Sequence, residues 1–438
     1  MNKRLLNSLI ALGLLVTPIC NAAEVAGNWN SSIKVQPARE KPADSLVINS
    51  EVDFDITDEI NDNLDWKLKI NLSTEKYTNQ KDDWHDSYDL DNKFKFSTSE
   101  AYLNYSTDHQ VKLDVCVGKQ YVKLGAGDGI TTFTLLEPIY AKNMEDLTNS
   151  ASVWGGKLVW YPGDFTVTAF YQPLITPAKL EGEVSEAAQA IKLATLLEAT
   201  KGLPIDPTTI VTKIETIDYK EDPLAGAALK VSHQIAGYDL SAIWESGYSP
   251  IALPAEFLMN ENKLICKYMP TQKIGTTVTG TLGDFGTWGE LTYTIPKKDF
   301  YDSNITALLE NVENEQYKLS DKPYLTGLIG ADYFLPKGTY INLQVLHGLP
   351  HEISANMLST AVIADISKTF KADKIKIELT GIGDFTNKGY VISPKIEYQT
   401  TPNSQAWIKG TILGGDEGTL YDALSDKGQI ACGVKVVF

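Results

Sequence analysis

The chain of 438 residues carries a formal net charge of −17 at pH 7, a balance that argues against nucleic acid as a partner. Its mean hydropathy of −0.16 is that of a water-soluble protein, yet it holds 21 Tyr, 8 Trp and 13 Phe. Beyond the first 23 residues there is no run of about 18 apolar residues, which excludes a helical membrane anchor.

Lys3 and Arg4, the apolar stretch Leu9 to Val16 and the small-residue region Cys20-Asn21-Ala22-Ala23 have the three-part form of a secretory leader over residues 1–23. Acylation of Cys20 is the alternative, against which stands bulky Ile19 where a small residue belongs. Losing Lys3 and Arg4 leaves the mature chain more negative still. Cys116, Cys266 and Cys432 then remain, an odd set expected as free thiols rather than a disulfide framework.

From residue 24 onward the dominant signal is strict two-residue alternation. In Asp65 to Ser73 one face reads Trp66, Leu68, Ile70, Leu72 and the other Asp65, Lys67, Lys69, Asn71, Ser73. Ile48, Val52, Phe54 and Ile56 likewise oppose Asn49, Glu51, Asp53 and Asp55, and Val111, Leu113, Val115 and Val117 oppose Lys112, Asp114 and Cys116. Ile375, Ile377 and Leu379 alternate with Lys374, Lys376 and Glu378, and Ile392 and Ile396 with Ser393, Lys395 and Glu397. The closing run Ile430, Cys432, Val434, Val436, Phe438 keeps Gln429, Gly433 and Lys435 on the other face. Charges at this density are tolerable only where they meet water, so one face is read as lipid-facing and the other as lining an aqueous lumen. A soluble β-sandwich has the same period and is the alternative architecture.

Strands are expected near 25–35, 44–56, 63–76, 94–106, 109–122, 151–161, 164–173, 224–234, 237–247, 273–282, 286–296, 323–334, 338–348, 359–370, 373–384, 388–399, 404–414 and 427–438. The fold class is therefore all-β: a transmembrane antiparallel up-and-down β-barrel of about 18 strands, with 16 the next count, spanning 24–438. Short turns such as Pro162-Gly163-Asp164, Ile235-Ala236-Gly237 and Lys371-Ala372-Asp373 alternate with longer connections. Residues 255–272 are read as an extension above the membrane.

The long connections carry the functional expectations. Residues 123–150 combine a glycine run, Gly125 to Gly129, with apolar Ile130, Leu135 and Leu136, and are read as a loop folded into the lumen that offers Asp128, Glu137, Glu145 and Asp146 to the pore. The glycine run lacks the strand, helix and Lys-Ser/Thr context of a phosphate cradle and is read as backbone turns. Residues 174–223 form a long external loop whose Val184, Ala187, Ala188, Ile191, Ala194 and Leu197 recur at helical spacing, and a short helix is expected after a Ser303-Asn304 cap. Asp82 to Asp91 is an acidic, solvated loop; calcium is its only candidate ligand, but the calcium-loop spacing is missing. No other metal or cofactor site is expected. The 5 His show neither a Ser-His-acid set nor a His-Glu-x-x-His motif, which speaks against an outer-membrane hydrolase.

A leader at one end and an aromatic-terminated strand at the other make the chain resemble a Gram-negative outer-membrane β-barrel of porin-like type. Val117-Gly118-Lys119-Gln120 with Gly125-Ala126-Gly127-Asp128-Gly129 resembles a segment of outer-membrane porin-like proteins. The resemblance implies that the loop after the fifth strand constricts the pore, that Phe438 is the signal for the barrel assembly machinery, that lipid and lipopolysaccharide surround the chain, and that it forms a homotrimer. It implies a passive channel for small hydrophilic solutes; a sealed surface barrel for adhesion or envelope anchoring is the alternative. Lumen-lining charges are expected in two groups, Glu51, Asp53, Asp55, Asp65, Lys67, Lys69 and Asp114 on the N-terminal strands, and Lys374, Lys376, Lys395 and Lys435 on the C-terminal ones. These either set opposite signs against each other across the seam or pair with their neighbours.

Overall fold

The computed structural model describes residues 23–35, 46–77, 94–107, 111–141, 149–180, 214–216, 224–258, 260–261, 263–310, 319–350, 352, 354–416, 420–423, 425 and 428–438. Strands β1 (Glu24–Val35), β2 (Leu46–Asn61), β3 (Leu64–Tyr77), β4 (Phe94–Thr107) and β5 (Leu113–Gln120) come first. An irregular stretch holding the two-residue β6 (Tyr140–Ala141) leads to β7 (Val153–Trp160) and β8 (Phe165–Gln172), and β9 (Lys179–Leu180) and β10 (Ile214–Thr216) belong to the next connection. Then come β11 (Gly226–Ile235), β12 (Tyr238–Tyr248), β13 (Leu253–Leu258), β14 (Lys263–Lys267), β15 (Pro270–Leu282) and β16 (Phe285–Pro296). Helix α1 (Ser303–Glu310) precedes β17 (Tyr324–Leu335), β18 (Thr339–His347), β19 (Thr360–Phe370), β20 (Ile375–Asp384), β21 (Gly389–Thr401) and β22 (Ser404–Gly415), and the one-turn α2 (Leu420–Ala423) precedes β23 (Gln429–Val437).

Eighteen of these strands form one antiparallel sheet, and β1 pairs with both β2 and β23, so the sheet closes on itself. Closure removes the unpaired edges that a membrane-spanning sheet could not carry into lipid. The terminal residue completes the seam: the Gly27 and Phe438 amides each donate to the other's carbonyl, at 2.8 and 3.0 Å. Gly27 is required there, because a Cβ would strike the Phe438 ring and the Asp53 carbonyl.

The pairing registers fix which side chains point inward. Asn28, Asn30 and Ser32 on β1 lie opposite Asp53, Glu51 and Asn49 on β2, and Asp53 and Asp55 lie opposite Asn71 and Lys69 on β3. The other face carries Val25, Phe96, Leu103, Val117, Trp154, Leu229, Ile274, Leu291, Ile329, Ile396 and Ile430, all exposed, in a belt around the cylinder. An apolar band of that extent belongs in hydrocarbon rather than water. Tight turns with left-handed backbone join the strands at one end, as at Ala236 (φ 53°) and Gly237 (φ 84°).

The other end carries the long connections and a cap. There β10, β14 and β13 form a separate three-stranded sheet, which is where the expected extension over 255–272 goes. Helix α1 starts at a different cap from the expected one: Asp302 Oδ1 accepts from the Ile305 amide at 2.7 Å, while Asn304 turns its amide to the Phe257 carbonyl at 2.9 Å. The leader before Ala23, the acidic loop 82–92, the helical pattern over 184–197, and Glu145, Asp146, His85, His109 and His351 lie outside the described residues.

The inward face is not polar throughout, as alternation alone implied. Leu328, Leu346, Ile363, Ile382, Val391 and Leu413 point inward near the long-loop end and are buried together with Ile130, Ile139 and Tyr421. Apolar residues are stable inside the lumen there because another part of the chain covers them.

Candidate functional site

That cover is the stretch between Gln120 and Val153. Gly118, at φ 136° and with the Ala101 carbonyl and Tyr102 where a Cβ would sit, lets β5 pack closely on β4 just before the chain leaves the wall. The loop then runs inward with Val122, Leu124, Phe133 and Leu136 buried against Phe170, Ala228 and Ile243, inward residues of β8, β11 and β12. Ile130 and Ile139 pack against the apolar group on β17 to β22 described above. Fully burying a side chain such as Phe133 or Leu136 contributes about 1.5–3 kcal/mol each.

Polar anchors on the wall fix the loop's register. The Glu290 carboxylate on β16 accepts from the amides of Ala126 (2.6 Å), Gly127 (2.8 Å) and Thr132 (2.8 Å) and from the hydroxyls of Thr131 (3.0 Å) and Thr132 (2.7 Å). A Cβ on Gly125 would collide with this carboxylate and with Thr131, so the glycine run does form an anion cradle, occupied by a carboxylate of the same chain. Glu245 on β12 accepts the Leu136 amide at 2.6 Å, and Lys273 on β15 donates to the Thr132 carbonyl (2.6 Å) and the Thr134 hydroxyl (2.7 Å). Lys230 on β11 donates to the Leu124 carbonyl at 2.7 Å. Gln344 on β18 bonds both the amide and the carbonyl of Asp128, at 3.1 and 2.7 Å.

The expected constriction residues part company here. Asp128 is exposed at the loop tip, its carboxylate accepting from Asn342 at 2.6 Å. Glu137 is only 8% exposed and its Oε1 accepts from the amides of Leu124 and Gly125, so it braces the loop rather than facing an open pore. Burial first, with the Glu245 and Glu290 carboxylates nearby, pushes its carboxyl up to about 8, against the opposing pull of those amides.

The opposite wall, β20 to β23 and β1 to β5, carries the expected lumen charges. Glu51 and Asp53 share the Asn71 amide, Asp65 accepts from Asn104 at 2.9 Å, and Asp114 accepts from the Tyr161 hydroxyl at 2.6 Å. Lys67 bridges Asp55 (3.3 Å) and Glu100 (3.1 Å), and Lys69 lies opposite Asp55 and Glu100. On the C-terminal side, Lys376 pairs with Glu378 at 2.5 Å and Lys395 with Glu397 at 2.6 Å. These two lysines are thus neutralised by carboxylates on their own strands, not set against the N-terminal ones. Lys435 lies inward opposite Asn30 and Gln405, and Lys374 sits exposed at the short-turn end. The N-terminal sector keeps an excess of carboxylates.

Sequence reading missed Lys230, Glu245, Lys273 and Glu290. Each occupies an inward position of a strand, and that isolated inward charge was the only available signal. Among the histidines, His233 lies at the short-turn end, bonded to the Asp164 carbonyl at 3.0 Å, and His347 at the long-loop end, bonded to the Thr360 hydroxyl at 3.1 Å. Cys116 and Cys266 are buried and Cys432 is exposed; all three are free thiols. Among the described residues no group of His, Cys, Asp and Glu is placed to hold a metal ion.

The closed 18-stranded antiparallel barrel has counterparts among solved structures. Acinetobacter baumannii OccAB3 is similar at a TM-score of 0.52, with 8% identity over 96% of this chain and 100% of that one. OmpT, an outer membrane protein of Vibrio cholerae in its trimer form, gives a TM-score of 0.40 with 12% identity over 95% and 99% of the two chains. A triple mutant of Rhodopseudomonas blastica porin gives 0.41 with 10% identity over 95% and 100%. No family model matches the sequence. No curated protein matches it either.

Proposed function

We propose that this chain is an outer-membrane porin, a passive diffusion channel for small hydrophilic solutes in which the inward loop sets the narrowest section. The observation that carries the reading is the loop's anchorage: a barrel of this strand number is too wide for wall side chains to fill, and among the described residues the loop's polar anchors on the wall lie on β11 to β18, about half of it. The other half presents hydrated, charged side chains along the barrel's length, as an aqueous path requires. The carboxylate excess of Glu51, Asp53, Asp65 and Asp114 gives the path a mild cation preference. Lipid and lipopolysaccharide surround the apolar belt, Phe438 serves barrel assembly, and trimers are the expected assembly state.

A second reading, a sealed surface barrel, draws support from the apolar packing inside the long-loop end and from the small sheet that caps it. Planar-bilayer recording of the refolded protein separates the two. A channel gives stable conductance steps and a reversal potential of cation-selective sign in a KCl gradient; a sealed barrel gives no steps.

A further inference from the structure

On β17 to β19 the pairing register sets three inward polar side chains in one row along the barrel wall. Asn342 on β18 lies directly opposite Asp332 on β17 and Asp365 on β19. Neighbouring strands are about 4.8 Å apart, so the two aspartates stand about 10 Å from each other at their Cα atoms. The tip of the inward loop supplies a third carboxylate between them. Asn342 Nδ2 donates to Asp128 Oδ2 at 2.6 Å and so holds that carboxylate over the middle of the row.

The donors of the row are all committed. The Tyr340 hydroxyl donates to Asp332 at 2.9 Å, Asn342 Nδ2 also donates to the Tyr340 oxygen at 3.4 Å, and Thr380 donates to Asp365 at 2.5 Å. Asn342 Oδ1 receives nothing: the residue is 2% exposed and that oxygen has no partner among the described residues. A buried acceptor without a donor is costly, and in a native site it points to a donor that arrives with a ligand. The surrounding charges set the sign of that ligand. Asp128, Asp332 and Asp365 pair with no lysine among the described residues. Lys376, Lys395 and Lys409 face inward on the next three strands, where Glu378 and Glu397 pair with the first two. Counting all of these, the row and the wall beside it hold five carboxylates to three ammonium groups. The row is also too spread for a bare ion, since no group of His, Cys, Asp and Glu among the described residues is placed to hold a metal. A fitting ligand carries several cationic donors at intervals.

We propose that Asp332, Asp128 and Asp365, with Asn342 Oδ1, form a binding subsite for a linear triamine, one ammonium to each carboxylate. Nitrogens separated by three carbons are about 5 Å apart in an extended chain with bonds of about 1.5 Å, and this matches the strand spacing of about 4.8 Å. The central ammonium donates to Asp128 and supplies the donor that Asn342 Oδ1 lacks, while the terminal ones donate to Asp332 and Asp365. All are charge-assisted hydrogen bonds. The subsite rests on the channel reading and deepens it, as a station that one class of solute occupies at the loop tip, and binding is measured apart from conductance so that the two can fail separately.

Calorimetric titration of the folded protein in detergent, at pH 7 and low salt, uses three probes: dipropylenetriamine, with three carbons between nitrogens, bis(hexamethylene)triamine, with six, and n-propylammonium. The first should bind about tenfold tighter than the second, which carries the same three charges at the wrong spacing, and the single ammonium should bind weakest. Asp332→Asn and Asp365→Asn keep the size of the side chain and an acceptor oxygen for Tyr340 or Thr380. Each should weaken dipropylenetriamine about fivefold or more. Equal affinity for the two triamines, or unchanged affinity for dipropylenetriamine in either folded variant, overturns the proposal. The comparison of triamines is made on the unaltered protein, so it stays decisive if a variant does not fold. Conductance steps with no triamine binding overturn the subsite alone, whereas the absence of both overturns the channel reading with it.

Discussion

The carboxylate of Glu290 stands where a side chain on Gly125 would have to go. The two residues are far apart in sequence, yet each dictates the other. Glu290 is 6% exposed in the lumen wall and accepts from the amides of Ala126, Gly127 and Thr132. Gly125, just before the first of them, carries no Cβ to occupy the carboxylate's place. The loop's position across the lumen, and with it the width of any path, follows from this one contact more than from the loop's own sequence.

Gly125→Ala therefore acts at a distance. The added methyl meets both Glu290 and Thr131, and because the carboxylate is held by several donors it cannot simply swing away. Overpacking of this kind costs about 1–3 kcal/mol, and here the loop, not the barrel, should yield. The variant is expected to fold with an unchanged strand signal in circular dichroism and to show noisier, wider conductance steps than the parent.

Glu290→Gln tests the same contact from the wall. An amide nitrogen replaces one carboxylate oxygen, so the Thr132 amide faces a donor instead of an acceptor. An unsatisfied buried donor costs about 1–3 kcal/mol, a rise in local opening of roughly five- to 150-fold. Hydrogen exchange at residues 126–132 should accelerate by that factor while exchange on β20 to β22 stays as it was. Uniform acceleration would mean that Glu290 supports the barrel as a whole.

The barrel itself was legible in the sequence because its governing rule is local. Each strand needs only its own alternation, and Trp66, Leu68, Ile70 and Leu72 face lipid whether or not their neighbours are known. The loop's entry into the lumen was legible too, through apolar Ile130, Leu135 and Leu136 that a loop in water could not justify. What it docks against was not. Glu245, Lys273 and Glu290 read as hydrated lumen charges, because an inward carboxylate looks the same in sequence whether it meets water or backbone amides from another part of the chain. Val391 and Leu413 were unreadable for the mirror-image reason: apolar residues on the inward face make sense only once Ile130 and Ile139 are known to cover that region. The role of Glu137 turned on the same missing information.

At the seam, Gly27→Val should impair closure more than interior strand formation. The new side chain would strike the Phe438 ring and the Asp53 carbonyl, the two groups that define how β23 and β2 flank β1. Slower folding into detergent micelles, followed by the mobility difference between heated and unheated samples, is the expected result. Deleting Phe438 removes the paired amide and carbonyl at 3.0 and 2.8 Å and should produce the same defect. Wild-type folding rates in both variants would show that the seam closes without this contact.

Ion preference should reside in the N-terminal sector. Glu51 and Asp53 share one Asn71 amide and pair with no lysine among the described residues, whereas Lys376 and Lys395 are neutralised by Glu378 and Glu397. Replacing Glu51 and Asp53 together by Gln and Asn keeps the side-chain sizes and is expected to move the reversal potential toward zero in a KCl gradient, with little change in step size. The exchange Lys376→Gln should do less, since it also frees Glu378. A larger effect from Lys376→Gln would place the selective charge on the other side of the seam.

Loop anchorage should weaken as pH rises, in a direction set by Glu137. Its folded carboxyl titrates near 8, raised chiefly by burial, against about 4.5 in the unfolded chain. Between those values the folded state holds a proton that the unfolded state has lost, so stability falls with increasing pH and levels off above the folded value. The groups that face it are the Glu245 and Glu290 carboxylates, which deepen the penalty on ionisation, and Lys230 and Lys273, which lessen it without cancelling it. Limited proteolysis or hydrogen exchange across residues 121–141 should therefore report a more open loop at pH 9 than at pH 6. In Glu137→Gln, whose amide is neutral at both, the difference should largely disappear. Persistence of the full pH effect in that variant would assign it to the wall carboxylates instead.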